Sequence, residues 1–316
     1  MKAVRFPLPI ACTLLTFLLL AGSSPSADSQ VVPAASGSSP ASLSKSAATS
    51  ASGQSAHPVI GPNISLESST QHSSVTGWYS LLTPTLSYRF NPHISLNASV
   101  PYYLTDQNYV PVKSGGTTTY ELKRKDSLLG DTSVSGQYAG NWSDFSATLT
   151  ATGAFPTGDS RFGLSANTPT YNVTGHAEYS LGWFTPDIEV GQGNSSNLTH
   201  RALKKGYTAV GPLANFQAGA SIDLPKNISF ESDAYEDLPI GNQNIYGTVT
   251  RINKKGKTVT RQVLEGTGVA EDNGINTELD IDLPAHLQLE ATYERSFIQA
   301  TDTVGIGLTW TARVAK

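Results

Sequence analysis

The feature that most limits what this chain can fold into is a period of two. After residue 57 the large apolar residues recur at every second position, and no stripe of helical period is found. In TVGIGLTW, residues 303–310, Val304, Ile306, Leu308 and Trp310 alternate with Thr303, Gly305, Gly307 and Thr309. Residues 78–90 place Trp78, Leu82, Leu86, Tyr88 and Phe90 on one face and Tyr79, Leu81, Thr83, Thr85, Ser87 and Arg89 on the other. Similar segments lie near 94–102, 132–138, 145–155, 171–179, 184–190, 208–224, 228–236, 275–283 and 287–297. Successive side chains of a strand point to opposite faces. The chain is therefore a series of strands with one apolar face and one small, polar face.

The connections alternate as well. Short ones fall at 91–93, 139–143, 181–182, 225–227 and 284–286, and longer ones at about 104–127, 156–169, 193–207, 238–273 and 298–302. Three short turns look alike: FNPHISLNA (90–98), LPKNISFES (224–232) and LPAHLQLEA (283–291) each end a strand, turn through proline and resume alternating. Strands of this length, with short turns at one end and long loops at the other, predict an all-β fold, a transmembrane antiparallel β-barrel with short periplasmic turns and long extracellular loops. In hydrocarbon every backbone N–H and C=O must pair, which strands achieve only by closing. From Trp78 onward eleven strands are legible. For the last to end on the periplasmic side, one more must precede Trp78, within 59–70, where NISLESS (63–69) alternates. That predicts twelve, an even number as in bacterial single-chain barrels. Pro84, Pro186 and Pro212 inside strand patterns predict bulges or kinks.

The ends of the chain differ from this pattern. Residues 1–23 combine Lys2 and Arg5 with a short apolar run and read as a signal peptide. Residues 24–57 are Ser- and Ala-rich, without periodicity, and read as a disordered linker; the barrel is expected over 58–316. The one cysteine, Cys12, lies in the leader, so disulfides and thiolate metal sites are excluded from the mature chain. Charged residues make up 15% against about 25% in ordinary soluble domains, and the net charge is −4, which argues against a nucleic-acid partner. The bacterial outer membrane is the expected location. Near the C-terminus, Thr303, Gly305, Leu308 and Trp310 follow the order polar, x, Gly, x, x, apolar, x, aromatic. This resembles the assembly signal of outer-membrane barrels and implies the barrel assembly machinery as a partner. The tail 311–316 departs from it, because the usual chain stops on its aromatic.

Two stretches carry a closer resemblance. LLGDTSVSGQY (128–138) and GAFPTGDSRFGLS (153–165) resemble the meta-pathway phenol-degradation family of outer-membrane proteins. Gly130, Asp131 and Thr132, then Pro156, Thr157, Gly158 and Asp159, match that family in order and spacing, and alternation extends the likeness over about 78–310. The resemblance implies movement of small, often aromatic or apolar, compounds across the outer membrane by passive diffusion. Pro156, Thr157, Gly158 and Asp159 have two readings: a loop constricting the lumen mouth, or a rigid turn that holds a strand register.

Strand parity gathers Asp131, Glu178, Asp187, Glu189, Asp223, Glu231, Asp233, Glu278, Asp280, Asp282, Glu290 and Glu294 on the lumen face, with His176 among them. Arg89 and Arg295 are the basic residues assigned to that face. Such a lining would raise the local cation concentration, or would simply solvate a wet barrel. The long loops are basic instead, with Lys123, Arg124, Lys125, Arg201, Lys204, Lys205, Arg251, Lys254, Lys255, Lys257 and Arg261. Outside the cell they would meet lipopolysaccharide phosphates, so a structural or adhesive surface barrel is the alternative function. Outer-membrane lipid, lipopolysaccharide and small solutes are the expected partners. Enzyme chemistry is not expected: His176 could reach a serine such as Ser133, but a polar lumen histidine is the simpler reading. KKGKT (254–258) lacks the leading glycine of a phosphate loop. The six histidines show no metal-ligand spacing, so neither a metal nor a cofactor is expected.

Overall fold

The computed structural model describes residues 60–74, 77–114, 117–158, 165, 169–194, 211–240, 245–252, 258–265, 271–298 and 300–313; side chains of 107–114, 117–125, 245–265 and 313 are not described. The expected signal peptide, the linker, Asp159 and the loop cations 201, 204, 205, 254, 255 and 257 lie outside the described residues.

The strands are β1 (Gly61–Ser73), β2 (Gly77–Arg89), β3 (Ile94–Ser99), β4 (Tyr102–Ser114), β5 (Thr117–Leu129), β6 (Thr132–Trp142), β7 (Phe145–Phe155), β8 (Thr170–Tyr179), β9 (Phe184–Gly193), β10 (Leu213–Leu224), β11 (Ile228–Pro239), β12 (Ile245–Ile252), β13 (Thr258–Glu265), β14 (Asp272–Leu283), β15 (Leu287–Ser296) and β16 (Thr301–Arg313). All pairings between them are antiparallel. β1 pairs with both β2 and β16, from Asn63↔Arg313 to Ser73↔Thr303, and this closes the barrel. β3 and β4 share one wall position, since β2 pairs with β3 at its periplasmic half and with β4 above it. β5 and β6 do the same. With the separate β12–β13 hairpin set aside, the wall has 12 strands. The weak segment before Trp78 is a full strand, β1.

The alternation sorts the side chains as its period requires. Ile188 (56% exposed), Ile306 (56%) and Leu149 (53%) face outward, whereas Asp233 (3%) and Glu278 (5%) face inward. Trp142, Phe145, Tyr179 and Trp183 ring the short-turn end, and Trp78, Phe155 and Tyr171 the other. This is the lipid-facing band with interfacial aromatics of a membrane barrel. Trp310 and Leu308 belong to that outer face, 44% and 41% exposed, with Thr303 buried on the inner one. Why the inner face of β16 is small also becomes plain. A Cβ on Gly305 would lie 2.5 Å from Thr292 Oγ1 and 3.2 Å from Gln71 Cγ. The neighbouring strands fill the space that β16 leaves.

Several expectations are corrected. Residues 104–127 are not a loop. β4 and β5 run through them as one long hairpin, and β12–β13 form a second within 238–273. Pro84 sits where β2 changes partner: Val100 N–H donates to its carbonyl at 3.3 Å, and the register shifts nearby between Ser80 and Leu81. Pro186 causes no such break, because the β9–β10 ladder runs evenly through Pro186↔Ala220. Pro212 precedes β10. The three look-alike turns close in two ways. Lys226 and Asn227, and likewise Ala285 and His286, are consecutive residues of positive φ, as tight hairpins require. The turn at Pro92 instead uses the Asn91 side chain, whose Oδ1 accepts the N–H groups of His93 and Ile94 at 2.8 Å each.

Candidate functional site: the lumen wall

The inner surface divides into two walls of different chemistry. On the β3–β6 side the side chains are neutral and bond to one another. Ser99 Oγ and Ser133 Oγ are 2.7 Å apart, Ser95 Oγ donates to Gln137 Oε1 at 3.2 Å, and Asn97 Nδ2 donates to Ser135 Oγ at 3.4 Å. Across the lumen, β9, β10, β11, β14 and β15 present carboxylates. Asp187, Glu231, Asp233, Glu278, Asp280, Glu290 and Glu294 are all buried on the inward face. Register brings them together: Glu231 stands opposite Glu278, and Asp280 opposite Glu290. Glu178 and Glu189 flank His176, with contacts of 3.7 and 3.9 Å. Arg89 and Asp223 are half-buried on inward positions nearer the short-turn end, while Asp282 is exposed there.

Arg295 does not join this face. Period two sets it opposite to Glu294, and it pairs with Asp302 on the outside. Among the described side chains the Lys and Arg residues are Arg89, Lys226 and Arg295. His176 does not meet Ser133. Its register partner on β7 is Thr148, whereas Ser133 stands opposite Ala154, six residues further along that strand.

The motifs Gly130-Asp131-Thr132 and Pro156-Thr157-Gly158 lock together. Asp131 Oδ1 accepts the Gly158 N–H at 2.9 Å, Thr157 Oγ1 accepts the Thr132 N–H at 2.8 Å, and Thr157 Oγ1 also reaches the Gly130 carbonyl at 3.3 Å. This clip joins the start of β6 to the end of β7. Gly130 allows a second close approach, since a Cβ there would lie 2.7 Å from Pro101 Cγ and 3.1 Å from the Tyr103 ring.

Sequence reasoning left several inward groups unassigned. Glu67 on β1 adds a carboxylate beside Glu290; its parity with Leu66 was the available signal. Asp237 and Asp272 are buried at the long-loop end, where Asn215 Nδ2 donates to Asp237 at 2.6 Å and Tyr235 Oη to Asp272 at 3.1 Å. More unexpected is an apolar cluster on the inside. Tyr79, Leu81 and Tyr103 are 1–4% exposed and pack with Leu128. The rings of Tyr79 and Tyr103 lie 6.3 Å apart, and Tyr79 Oη donates to Gln71 Oε1. This cluster lies on the β2–β4–β5 side of the lumen.

No protein-family model and no curated protein matches the chain. Solved structures do. An outer-membrane channel from Pseudomonas putida is similar over 82% of this chain and 98% of its own, with TM-score 0.51 and 12% identity. A KdgM porin in complex with disordered oligogalacturonate covers 79% of this chain and 99% of its own, at TM-score 0.46 and 9% identity. The Ralstonia pickettii toluene transporter TbuX covers 81% and 90%, at TM-score 0.43 and 8% identity. The chain has the fold of an outer-membrane β-barrel, and its closed wall and lipid-facing band place it in that membrane.

Proposed function

We propose that this barrel is a passive outer-membrane channel for small molecules, with a preference for cationic over anionic solutes. One observation carries the reading: buried carboxylates from four strands, β9, β11, β14 and β15, share one side of the lumen. A ring or wall of one charge sign concentrates counter-ions and repels co-ions. The protein acts by transport and not as an enzyme, in keeping with the separation of His176 from Ser133. Conductance of the folded barrel in a planar bilayer tests this, with the reversal potential read under a KCl gradient. Steady steps with a cation-selective reversal potential are expected; anion selectivity, or silence from a heat-modifiable folded barrel, overturns the reading.

The inner cluster Tyr79–Leu81–Tyr103–Leu128 favours a second reading, in which aromatic or apolar solutes pass along that side. It accords with the resemblance of the Gly-Asp-Thr and Pro-Thr-Gly-Asp motifs. Liposome swelling with phenol-like and with charged solutes of equal size separates the two. The clip formed by Thr157 with Thr132 supports the register-holding role of the Pro156 loop.

A further inference from the structure

We propose that His176, held between Glu178 and Glu189, sets how strongly the lumen favours cations and does so according to pH. With the ring neutral, the two carboxylates attract cations. With the ring protonated, they are drawn onto it and one of their two charges is cancelled. The control of selectivity rests on the channel reading above, whereas the protonation of the trio does not.

Each ring nitrogen faces a different carboxylate. Nε2 lies 3.7 Å from Glu178 Oε2, and Nδ1 lies 3.9 Å from Glu189 Oε2. Both distances are a little longer than a hydrogen bond. A neutral imidazole carries one N–H and an imidazolium two. Only the protonated ring can therefore donate to both carboxylates at once, and such charge-assisted bonds are the shorter and stronger ones. The ladder prepares this arrangement. His176 stands opposite Glu189, and Glu178 follows two residues later on the same face of β8. On the other side Ser146 of β7 donates to Glu178 Oε1 at 2.5 Å, while Oε2 is the oxygen that faces the ring.

The trio is also open to the lumen. The side chains of Glu178 and Glu189 are 30% and 25% exposed, whereas the buried carboxylates of β11, β14 and β15 are at most 8% exposed. It stands at the junction of the two walls, with Thr148 opposite His176 on the neutral side and Asp187 opposite Glu178 on the acidic side. The titratable neighbours of the ring are Glu178, Glu189 and Asp187, with Asp233 beyond Gly219. β7, β8 and β9 contain no Lys or Arg, so the strands around the ring bring no fixed cation to these carboxylates. Among the described histidines His176 is the one on the inner face. His72 packs against Trp78 outside, and His93 and His286 sit in short turns. Imidazole is the side chain whose ordinary charge change falls between about pH 5 and 8. A change of one charge among the few that solvent reaches alters the local concentration of cations.

The test is the reversal potential of the full-length folded barrel under a KCl gradient, read at about pH 8 and about pH 5.5. Parent, His176→Gln and His176→Arg are compared, with folding checked by heat-modifiable migration. The cation-over-anion permeability ratio of the parent should fall about two-fold or more on acidification. His176→Gln should remove most of that fall, and His176→Arg should show the lower ratio at both pH values. An equal fall in the parent and in His176→Gln overturns the proposal, since the carboxylates would then be titrating by themselves. A folded barrel that is silent at both pH values overturns the channel reading, and the protonation is then decided without transport. Nitrogen NMR of a histidine-labelled barrel in micelles does this, with His176 assigned by its loss in His176→Gln. On acidification both ring nitrogens should carry protons protected from exchange, and Glu178→Gln with Glu189→Gln should abolish the protection. A His176 that stays neutral down to about pH 5.5, or whose protection is the same in the double variant, overturns the proposal.

Discussion

The two inner walls solve the same problem by different chemistry. Both must present polar groups to a water-filled interior while their backs meet lipid. The β3–β6 wall does so with Ser99–Ser133 and Ser95–Gln137, neutral pairs that donate and accept between themselves. The β11–β14–β15 wall sets Glu231 against Glu278 and Asp280 against Glu290, pairs that repel. Cross-strand pairs of like charge are destabilising. The difference teaches that the neutral wall meets its own hydrogen-bonding needs pair by pair, whereas the acidic wall sets like charges side by side. We propose that the neutral wall serves stability and the acidic wall charge selection.

The largest effect should come from removing that charge. Replacing Glu231, Glu278 and Glu290 together by Gln should move the reversal potential under a KCl gradient most of the way to zero, with single-channel conductance retained. An unchanged potential would assign selectivity to another part of the molecule. Next in size is Gly130→Leu, which drives a side chain into Pro101 and Tyr103. It should cost about 1–3 kcal/mol, seen as a lower midpoint of heat-modifiable migration, with the reversal potential of the folded fraction unaltered. Thr157→Val removes the acceptor of the Thr132 N–H. A loss of about 1 kcal/mol is expected, again without a change in selectivity; a shift in conductance instead would point to a constricting loop. The smallest effect belongs to Ser99→Ala on the neutral wall, within about 0.5 kcal/mol and with selectivity intact. If it matched the triple carboxylate variant in selectivity, the division of labour between the walls would fail.

Much of this was legible beforehand. Ile306 and Leu308 outward, Asp233 and Glu278 inward, and the need for a strand before Trp78 all follow from period two, short turns and the rule that a membrane strand must pair on both sides. Arg295 shows how that rule corrects itself: with Glu294 inside, its neighbour in an unbroken strand must be outside. The hairpin β4–β5 was less visible. Its alternation is interrupted by Pro111 and by charges, and a hairpin that extends the wall has the composition of a loop. Tyr79 and Leu81 could be placed on the inner face by parity, but nothing in that parity says that Tyr103 and Leu128 would meet them.

The sequence by itself determined the class of fold, the sidedness of each strand and the acidic character of the inner face. These depend on periodicity and composition, which are local. Only the tertiary structure decided which carboxylates became neighbours, because Asp280 meets Glu290 and Glu231 meets Glu278 through ladder register. The same register brought Ser69 and Glu290 to either side of Gly307, across the seam where the first and last strands close the barrel. That contact joins residues more than two hundred positions apart, a relation set by closure and carried by no local pattern.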